Sequence, residues 1–211
     1  QAGHYAAPLA TEAQQLMQRL ITKIRAYSEP ALAILRRDGE EDTADARYSR
    51  AIAQYRRGDL QAAKTLMDQL TADYPVDAFY HEFQGDILLS MADANAAANA
   101  YEAALALRPE SPQILVNLGR ALIATNDRSR LPRAIEAISA AKDGEPKWAF
   151  VRRQLAIAYG RSGDIAAADL TLAEEAILLD DEQQAVRMAK RVLARDDLAS
   201  DIRNRANDIL F

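Results

Sequence analysis

The chain has 211 residues, of which 49% are hydrophobic and 27% charged, a balance typical of a folded protein rather than a disordered one. The net charge is −5, and basic residues are interleaved with acids, which argues against the basic face that nucleic-acid binding needs. The absence of cysteine excludes a disulfide framework and thiolate chemistry. No apolar run approaches the ~20 residues that span a bilayer.

The N-terminal part, residues 1–43, predicts helices and a linker. Residues 11–27 carry apolar side chains at helical spacing, with Thr11 as the predicted N-cap. A break at 28–30 precedes a short helix over 31–37, and the acidic segment 38–45 is the linker. Two interpretations stay open for this part, a degenerate repeat or the tail of a preceding domain.

A repeat follows. Residues 58–63 read GDLQAA, and residues 163–168 read GDIAAA. Aligning the chain on these two stretches places a small residue in the middle of one helix of each repeat, at Ala51, Gly85, Gly119 and Ala156. A second small series lies on the following helix, at Ala63, Ala97, Ala134 and Ala168. A third series closes the repeats, at Pro75, Pro109 and Pro146.

The three series share one period of 34 residues, which stretches once to 37 between Gly119 and Ala156. A single three-residue insertion, placed in the turn 126–132, explains the longer interval in every series. Period and markers together indicate the tetratricopeptide repeat (TPR). The predicted fold is therefore all-α, a right-handed α-solenoid of antiparallel helix pairs, with four TPR repeats and a C-terminal capping helix pair. The repeats are 44–77, 78–111, 112–148 and 149–181, and the cap is 182–211.

The markers have a physical role in packing. Glycine or alanine lets the two helices of a pair approach to an interaxial distance of ~8–10 Å. Proline ends the second helix, because it lacks an N–H and clashes with the preceding turn. The eight small residues are therefore predicted to be structural packing positions.

The sequence predicts no catalytic residue, metal site or cofactor site. The nearest motif is His81-Glu82-Phe83-Gln84-Gly85, in which a glycine replaces the second histidine of His-Glu-x-x-His. The sequence has only two histidines, His4 and His81, so a histidine-rich zinc site cannot be assembled.

Because no catalytic or metal motif is present, the sequence favours a function in binding. In a TPR array the first helix of each repeat lines a groove, and the residues around each small marker should face it. The predicted groove residues are Tyr48, Ile52, Tyr55, Arg56, Phe79, Glu82, Asp86, Val116, Arg120, Phe150, Arg153, Ile157 and Arg161. Tyr48 and Tyr55 could instead belong partly to the core. This mixture of aromatic, basic and acidic side chains suits a protein or peptide partner, and neither nucleic acid nor membrane insertion is expected.

Several stretches resemble one particular group of TPR proteins. Residues 46–60, 79–85, 158–164, 172–176 and 205–210 are similar to the C-terminal TPR region of bacterial TPR-tailed zinc-dependent proteases, the HtpX-like gluzincins. The resemblance covers roughly residues 15–211. It implies a periplasmic parent protein with an N-terminal zinc metallopeptidase domain that acts in envelope protein quality control or outer-membrane protein assembly. The catalytic His-Glu-x-x-His segment is not in this sequence, so no active-site residue carries over.

The functional hypothesis is a non-catalytic TPR interaction module that binds substrates or partners for such a protease. The alternative is a free-standing TPR adaptor with no linked enzyme.

Overall fold

The computed structural model describes residues 6–210, and the side chains of residues 13–210. The described residues form helices without strands, so the all-α prediction is confirmed. The helices are α1 (Ala6–Ser28), α2 (Ala31–Arg37), α3 (Ala44–Arg56), α4 (Leu60–Asp73), α5 (Ala78–Ser90), α6 (Ala94–Leu107), α7 (Pro112–Ala124), α8 (Leu131–Gly144), α9 (Ala149–Ser162), α10 (Ile165–Leu178), α11 (Glu182–Leu193) and α12 (Ser200–Asp208).

The chain divides into two compact units between Asp93 and Ala94. The N-terminal unit contains α1 to α5, and the C-terminal unit contains α6 to α12. Within each unit, most packing is between helices that follow one another along the chain. In the N-terminal unit α1 also packs on α3, while in the C-terminal unit α12 packs on α10 and α11.

Helices that pack as pairs within one unit run antiparallel. Arg47 near the start of α3 bonds Asp73 at the end of α4, with 2.6 Å between Nη1 and Oδ2. In the C-terminal unit Pro112 at the start of α7 lies against Gly144 at the end of α8. These contacts join opposite ends of neighbouring helices, as the predicted helix pairs require.

The turn inside each helix pair follows one local rule. Gly58 (φ 82°) and Gly163 (φ 95°) are left-handed, a conformation that glycine adopts without steric cost. Each is followed by an aspartate that caps the next helix: Asp59 accepts from the Ala62 N–H at 3.1 Å, and Asp164 from the Ala167 N–H at 3.0 Å. Left-handed residues also precede Asp93 and Asp127, namely Ala92 (φ 62°) and Asn126 (φ 58°).

The predicted insertion lies where the period placed it. The connection from α7 to α8 spans residues 125–130 and contains a short 3₁₀ helix at Arg128–Arg130, whereas the connection from α3 to α4 spans only 57–59. The prolines also act as predicted, because α4, α6 and α8 end two residues before Pro75, Pro109 and Pro146.

One prediction at the N-terminus is wrong. Helix α1 begins at Ala6, so Thr11 lies inside the helix and is not its N-cap. The helix starts earlier because alanine and leucine before Thr11 favour helix, and Pro8 lies in the first turn, where its missing N–H is tolerated. His4 lies outside the described residues. The predicted domain boundaries remain predictions.

All eight small marker residues are buried. Gly119 shows why size matters at these positions: a Cβ added there would lie 2.2 Å from Cγ1 and 2.6 Å from Cδ1 of Ile138, and 3.3 Å from the Ala134 carbonyl oxygen. The α7–α8 contact therefore has no room for one methyl group.

We expect Gly119→Ala to destabilise the fold by ~1–3 kcal/mol, because overpacking outweighs the gain in helix propensity. The matched control is Gly160→Ala on α9, where the added Cβ meets only Ala168 Cβ at 4.0 Å. That variant should gain about 0.5–1 kcal/mol from helix propensity alone. Urea unfolding measures both changes.

A second measurement isolates the cause. In an Ile138→Ala background the clashing Cγ1 and Cδ1 atoms are gone, so Gly119→Ala should no longer destabilise the protein. A stabilising Gly119→Ala in the wild-type background would contradict the assigned close approach.

Candidate functional site

In the N-terminal unit, α1 covers the groove side of α3 and α5. Arg19 forms ion pairs with Asp45 and with Asp77, the latter at 3.0 Å between Nε and Oδ2. Lys23 Nζ lies 3.3 Å from Oε1 of Glu82, and 5.8 Å from the centre of the Phe79 ring. A basic helix is thus docked on an acidic face, which we define by Asp45, Asp77 and Glu82 and call the N-terminal groove face.

Neighbouring carboxylates and an aromatic ring stabilise the positive charge of Arg19. Burial disfavours its charged form, but hydrogen bonding to Asp77 and the nearby carboxylate of Asp45 outweigh burial and raise the pKa of the guanidinium. The guanidinium also lies 4.9 Å from the centre of the Tyr80 ring, a cation–π contact. Arg19 therefore stays charged under all ordinary conditions.

The C-terminal end of α1 is fixed by Arg56. Its Nη1 donates to the carbonyl oxygens of Ala26 and Glu29, both at 2.6 Å. Carbonyl groups at a helix end carry partial negative charge and lack partners within the helix, so a guanidinium stabilises them. Arg56 is exposed, as predicted for the groove, but it is engaged within the chain.

Four of the predicted groove residues in this unit are not open to solvent. Tyr48 and Ile52 are 0% exposed, and Phe79 and Glu82 are also buried. Tyr48, Ile52 and Ala26 of α1 belong to one buried cluster. Placing Tyr48 and Ile52 on an open groove was therefore wrong, because α1 covers the positions that the repeat register assigns to the groove.

Tyr48 and Tyr55 belong to an aromatic cluster. The Tyr48 ring packs edge to face against Tyr80 and Phe83, with centroids 5.2 and 5.8 Å away, and Tyr55 contacts Phe83 at 5.4 Å. Burial raises the pKa of the Tyr48 hydroxyl well above its usual range, and Glu82 nearby adds to the shift. Tyr55 is half-buried, and its hydroxyl lies 3.1 Å from Ser90 Oγ. Tyr48 is thus a core residue, and Tyr55 lies at the edge of the core.

In the C-terminal unit the groove side is open. Phe150 is 39% exposed and Ile157 is 41% exposed, one turn either side of Arg153 on α9. Arg120 of α7 lies with its guanidinium 5.6 Å from the centre of the Phe150 ring and donates to Oδ1 of Asn117 at 3.1 Å. Val116, another predicted groove residue, is 0% exposed, so placing it on an open face was wrong. It precedes Asn117, which is also buried, on a helix whose side chains are mostly buried.

A buried carboxylate holds Arg153 in place. Glu175 of α10 is buried, and its two carboxylate oxygens accept from Arg153 Nε at 2.8 and 2.6 Å. A buried carboxylate needs such a partner, because desolvation of an unpaired charge is costly. Arg153 itself is exposed, so it contributes a neutralised guanidinium to the open face.

Among the residues whose side chains are described, four other cations on this side have no acidic partner. Arg161 bonds the amide oxygen of Asn126, and Arg187 that of Gln184 at 2.6 Å. Within residues 13–210, Arg120, Arg161, Arg187 and Lys190 form no ion pair. We define the C-terminal groove face by Arg120, Phe150, Arg153, Ile157, Arg161, Arg187 and Lys190.

Two parts of these faces were not predicted from the sequence. Arg187 and Lys190 lie on α11, which belongs to the predicted C-terminal cap. Counted from the first residue of each helix, however, Lys190 is equivalent to Arg120 and Ile157. Arg19 and Lys23 were missed because they lie on α1, outside the repeats, although their four-residue spacing places both on one side of that helix.

His81 lies in the first turn of α5. Its Nε2 lies 2.8 Å from the carbonyl oxygen of Pro75. Among the residues whose side chains are described, no cluster of three or more His, Asp or Glu could hold a metal ion. Over the same residues, no helix is long and apolar enough to cross a membrane.

Comparison with known families agrees with the period and the helix pairs. The "Tetratricopeptide repeat" family model matches residues 28–78 and 84–147, which together exceed half of the chain. The chain belongs to the tetratricopeptide repeat family, and the predicted fold class is confirmed. Proteins of this class are interaction modules that bind protein partners.

Solved structures share the fold at low sequence identity. The chain is similar to MamA 41-end from Desulfovibrio magneticus RS-1, with 21% identity over 80% of this chain and 94% of that one, at a TM-score of 0.64. It is also similar to TTC0263, a thermophilic TPR protein of Thermus thermophilus, with 18% identity over 80% and 99% of the two chains and a TM-score of 0.56. A search of the curated proteins gives no significant match.

The core assignment of Tyr48 can be tested by two substitutions. Its buried hydroxyl has no hydrogen-bond partner among the described residues, so Tyr48→Phe should keep the free energy of unfolding within about 1 kcal/mol of wild type or raise it. Tyr48→Ala should lower the free energy of unfolding by ~3–5 kcal/mol, because it leaves a cavity beside Tyr80 and Phe83. Thermal and urea unfolding measure both changes. If Tyr48→Ala left the free energy of unfolding unchanged, the assignment of Tyr48 to the core would be wrong.

Proposed function

We propose that the C-terminal groove face binds an acidic segment of a partner protein that also carries apolar side chains. The observation that carries this proposal is the exposure of Phe150 and Ile157 beside cations that have no acidic partner in the described chain. Apolar side chains of the partner would cover the two exposed residues, and its carboxylates would pair with Arg120, Arg161, Arg187 and Lys190. Such a face combines apolar anchors with charged groups that set specificity.

Charge complementarity favours an acidic ligand over a basic one. Glu175 is buried beneath Arg153, and the Asp181 carboxylate already accepts from the Gln184 N–H at 2.9 Å. The Glu175 carboxylate is therefore neutralised within the chain and Asp181 caps α11, while the four cations have no acidic partner among the described residues. A basic segment at this face would be repelled by these four cations.

The resemblance in the sequence supports a finer proposal. The chain would be the partner-binding region of a periplasmic zinc-dependent protease, which presents bound proteins to a linked catalytic domain during envelope quality control. A free-standing TPR adaptor fits the groove geometry equally well. The coding sequence upstream of residue 1 separates the two, since a His-Glu-x-x-His motif there supports the protease and an open reading frame without one supports the adaptor. Fractionation of cells that express the native protein tests the periplasmic location independently.

The groove proposal predicts the effect of reversing charge. In fluorescence anisotropy with a labelled peptide of alternating Glu and Phe, Arg120→Glu should weaken binding about five- to tenfold, because an attraction becomes a repulsion. Ile157→Asp should weaken binding at least as much, since it also removes an apolar contact. Both residues are at least partly exposed, so the melting temperature should stay within a few degrees of wild type.

The matched control is Arg203→Glu on α12, which changes the net charge equally at an exposed position with no ion pair in the described residues. It should bind the peptide like wild type. A peptide of alternating Lys and Phe should bind none of these proteins. If Arg203→Glu and Arg120→Glu weakened peptide binding equally, the loss of affinity would be an effect of net charge alone. That result would contradict binding at the C-terminal groove face.

A further inference from the structure

Helix α1 leaves an apolar surface uncovered. Met17, Leu20, Ile24 and Tyr27 are between 42% and 57% exposed, as are Leu16 and Ile21 beside them. We call these six side chains the α1 stripe. Single exposed apolar residues are common on protein surfaces, whereas a continuous group on one helix marks an interaction site.

Apart from Tyr27, which lies at its edge near Asp86 and Tyr55, the stripe lies away from the side by which α1 is attached. Thr22 and Ala26 are buried, and Arg19 and Lys23 reach the N-terminal groove face from the same side of the helix. At 100° per residue, the α1 stripe is centred about 130° around the helix from these four residues. The helix thus uses its polar side for the contact within the chain and leaves its apolar side available.

The spacing of the stripe fits another helix. Met17, Leu20, Ile24 and Tyr27 are separated by three, four and three residues, which is the spacing of the a and d positions of a heptad. Side chains at this spacing form one seam that packs into the facing helix. An extended peptide would instead need pockets at intervals of two residues.

The charges on α1 indicate which helix could pack against the stripe. No charged residue lies within the α1 stripe, and the flanking cations are neutralised inside the chain: Lys23 by Glu82, and Arg25 by Glu29 at 3.2 Å. Two copies of α1 can therefore meet without like-charge repulsion. Gln14, which borders the stripe beside Ile21, can both donate and accept hydrogen bonds, so it can pair with its own copy.

We propose that the α1 stripe pairs with the α1 stripe of a second copy of this chain, forming a two-fold symmetric helix pair. From Leu16 to Tyr27 the stripe is only about 17 Å long. The interface is therefore at the small end of specific interfaces, below ~1,200 Å² in total, and the dimer is weak, with a dissociation constant on the order of micromolar.

The first test is the oligomeric state of the full chain. In sedimentation velocity over a wide concentration range, wild type should pass from monomer to dimer, whereas the double variant Leu20→Glu/Ile24→Glu should stay monomeric or dissociate at least tenfold more readily. Both positions are exposed, so circular dichroism and thermal melting should match wild type. The control is Gln18→Glu, which adds charge to the same helix outside the stripe and should still dimerise.

The second test reads the geometry of contact. The sequence has no cysteine, so each single substitution supplies the only thiol. Under mild oxidation, a mixture of the Leu20→Cys and Ile24→Cys chains should form a disulfide-linked dimer, whereas Gln18→Cys should not. A monomer at every concentration would overturn the proposal and assign the α1 stripe to a different partner, as would a dimer that Leu20→Glu/Ile24→Glu leaves intact.

Discussion

The structure depends on how closely the two helices of each pair can approach. At the α7–α8 contact, Gly119 faces Ile138 with less space than one methyl group needs. Every equivalent position holds glycine or alanine and is buried. This constraint fixes the period of the repeat, and through it which positions of α3, α5, α7, α9 and α11 lie on the groove side. The candidate faces are consequences of that register.

The same register produces different surfaces in the two units. In the N-terminal unit the groove side carries Asp45, Asp77 and Glu82, and α1 supplies Arg19 and Lys23 as their partners. In the C-terminal unit the equivalent positions hold arginine, lysine and apolar residues, and α9 leaves Phe150 and Ile157 exposed. The acids of the N-terminal groove face are therefore paired within the chain, while the C-terminal groove face carries exposed apolar side chains and cations that have no acidic partner among the described residues.

Much of the fold could be predicted from the sequence, because the period, the glycine–aspartate turns and the prolines are local signals. Gly58 and Asp59, for example, specify a left-handed turn and a cap without help from distant residues. The groove was predicted less well. Register shows which side Tyr48 and Ile52 face, but it cannot show that a helix outside the repeat covers them. The predicted start of α1 at Thr11 was also wrong, because residues on both sides of Thr11 are compatible with a helix.

The acidic caps have a consequence for how the protein behaves in solution. Asp59, Asp164 and Asp181 accept hydrogen bonds from backbone N–H groups at helix starts, and Glu175 is paired with a guanidinium. A chain with a net charge of −5 can thus display a locally cationic patch. Retention of the protein on an anion exchanger would depend on its negative net charge. The affinity for a ligand at the C-terminal groove face would instead depend on the positive local potential of that face.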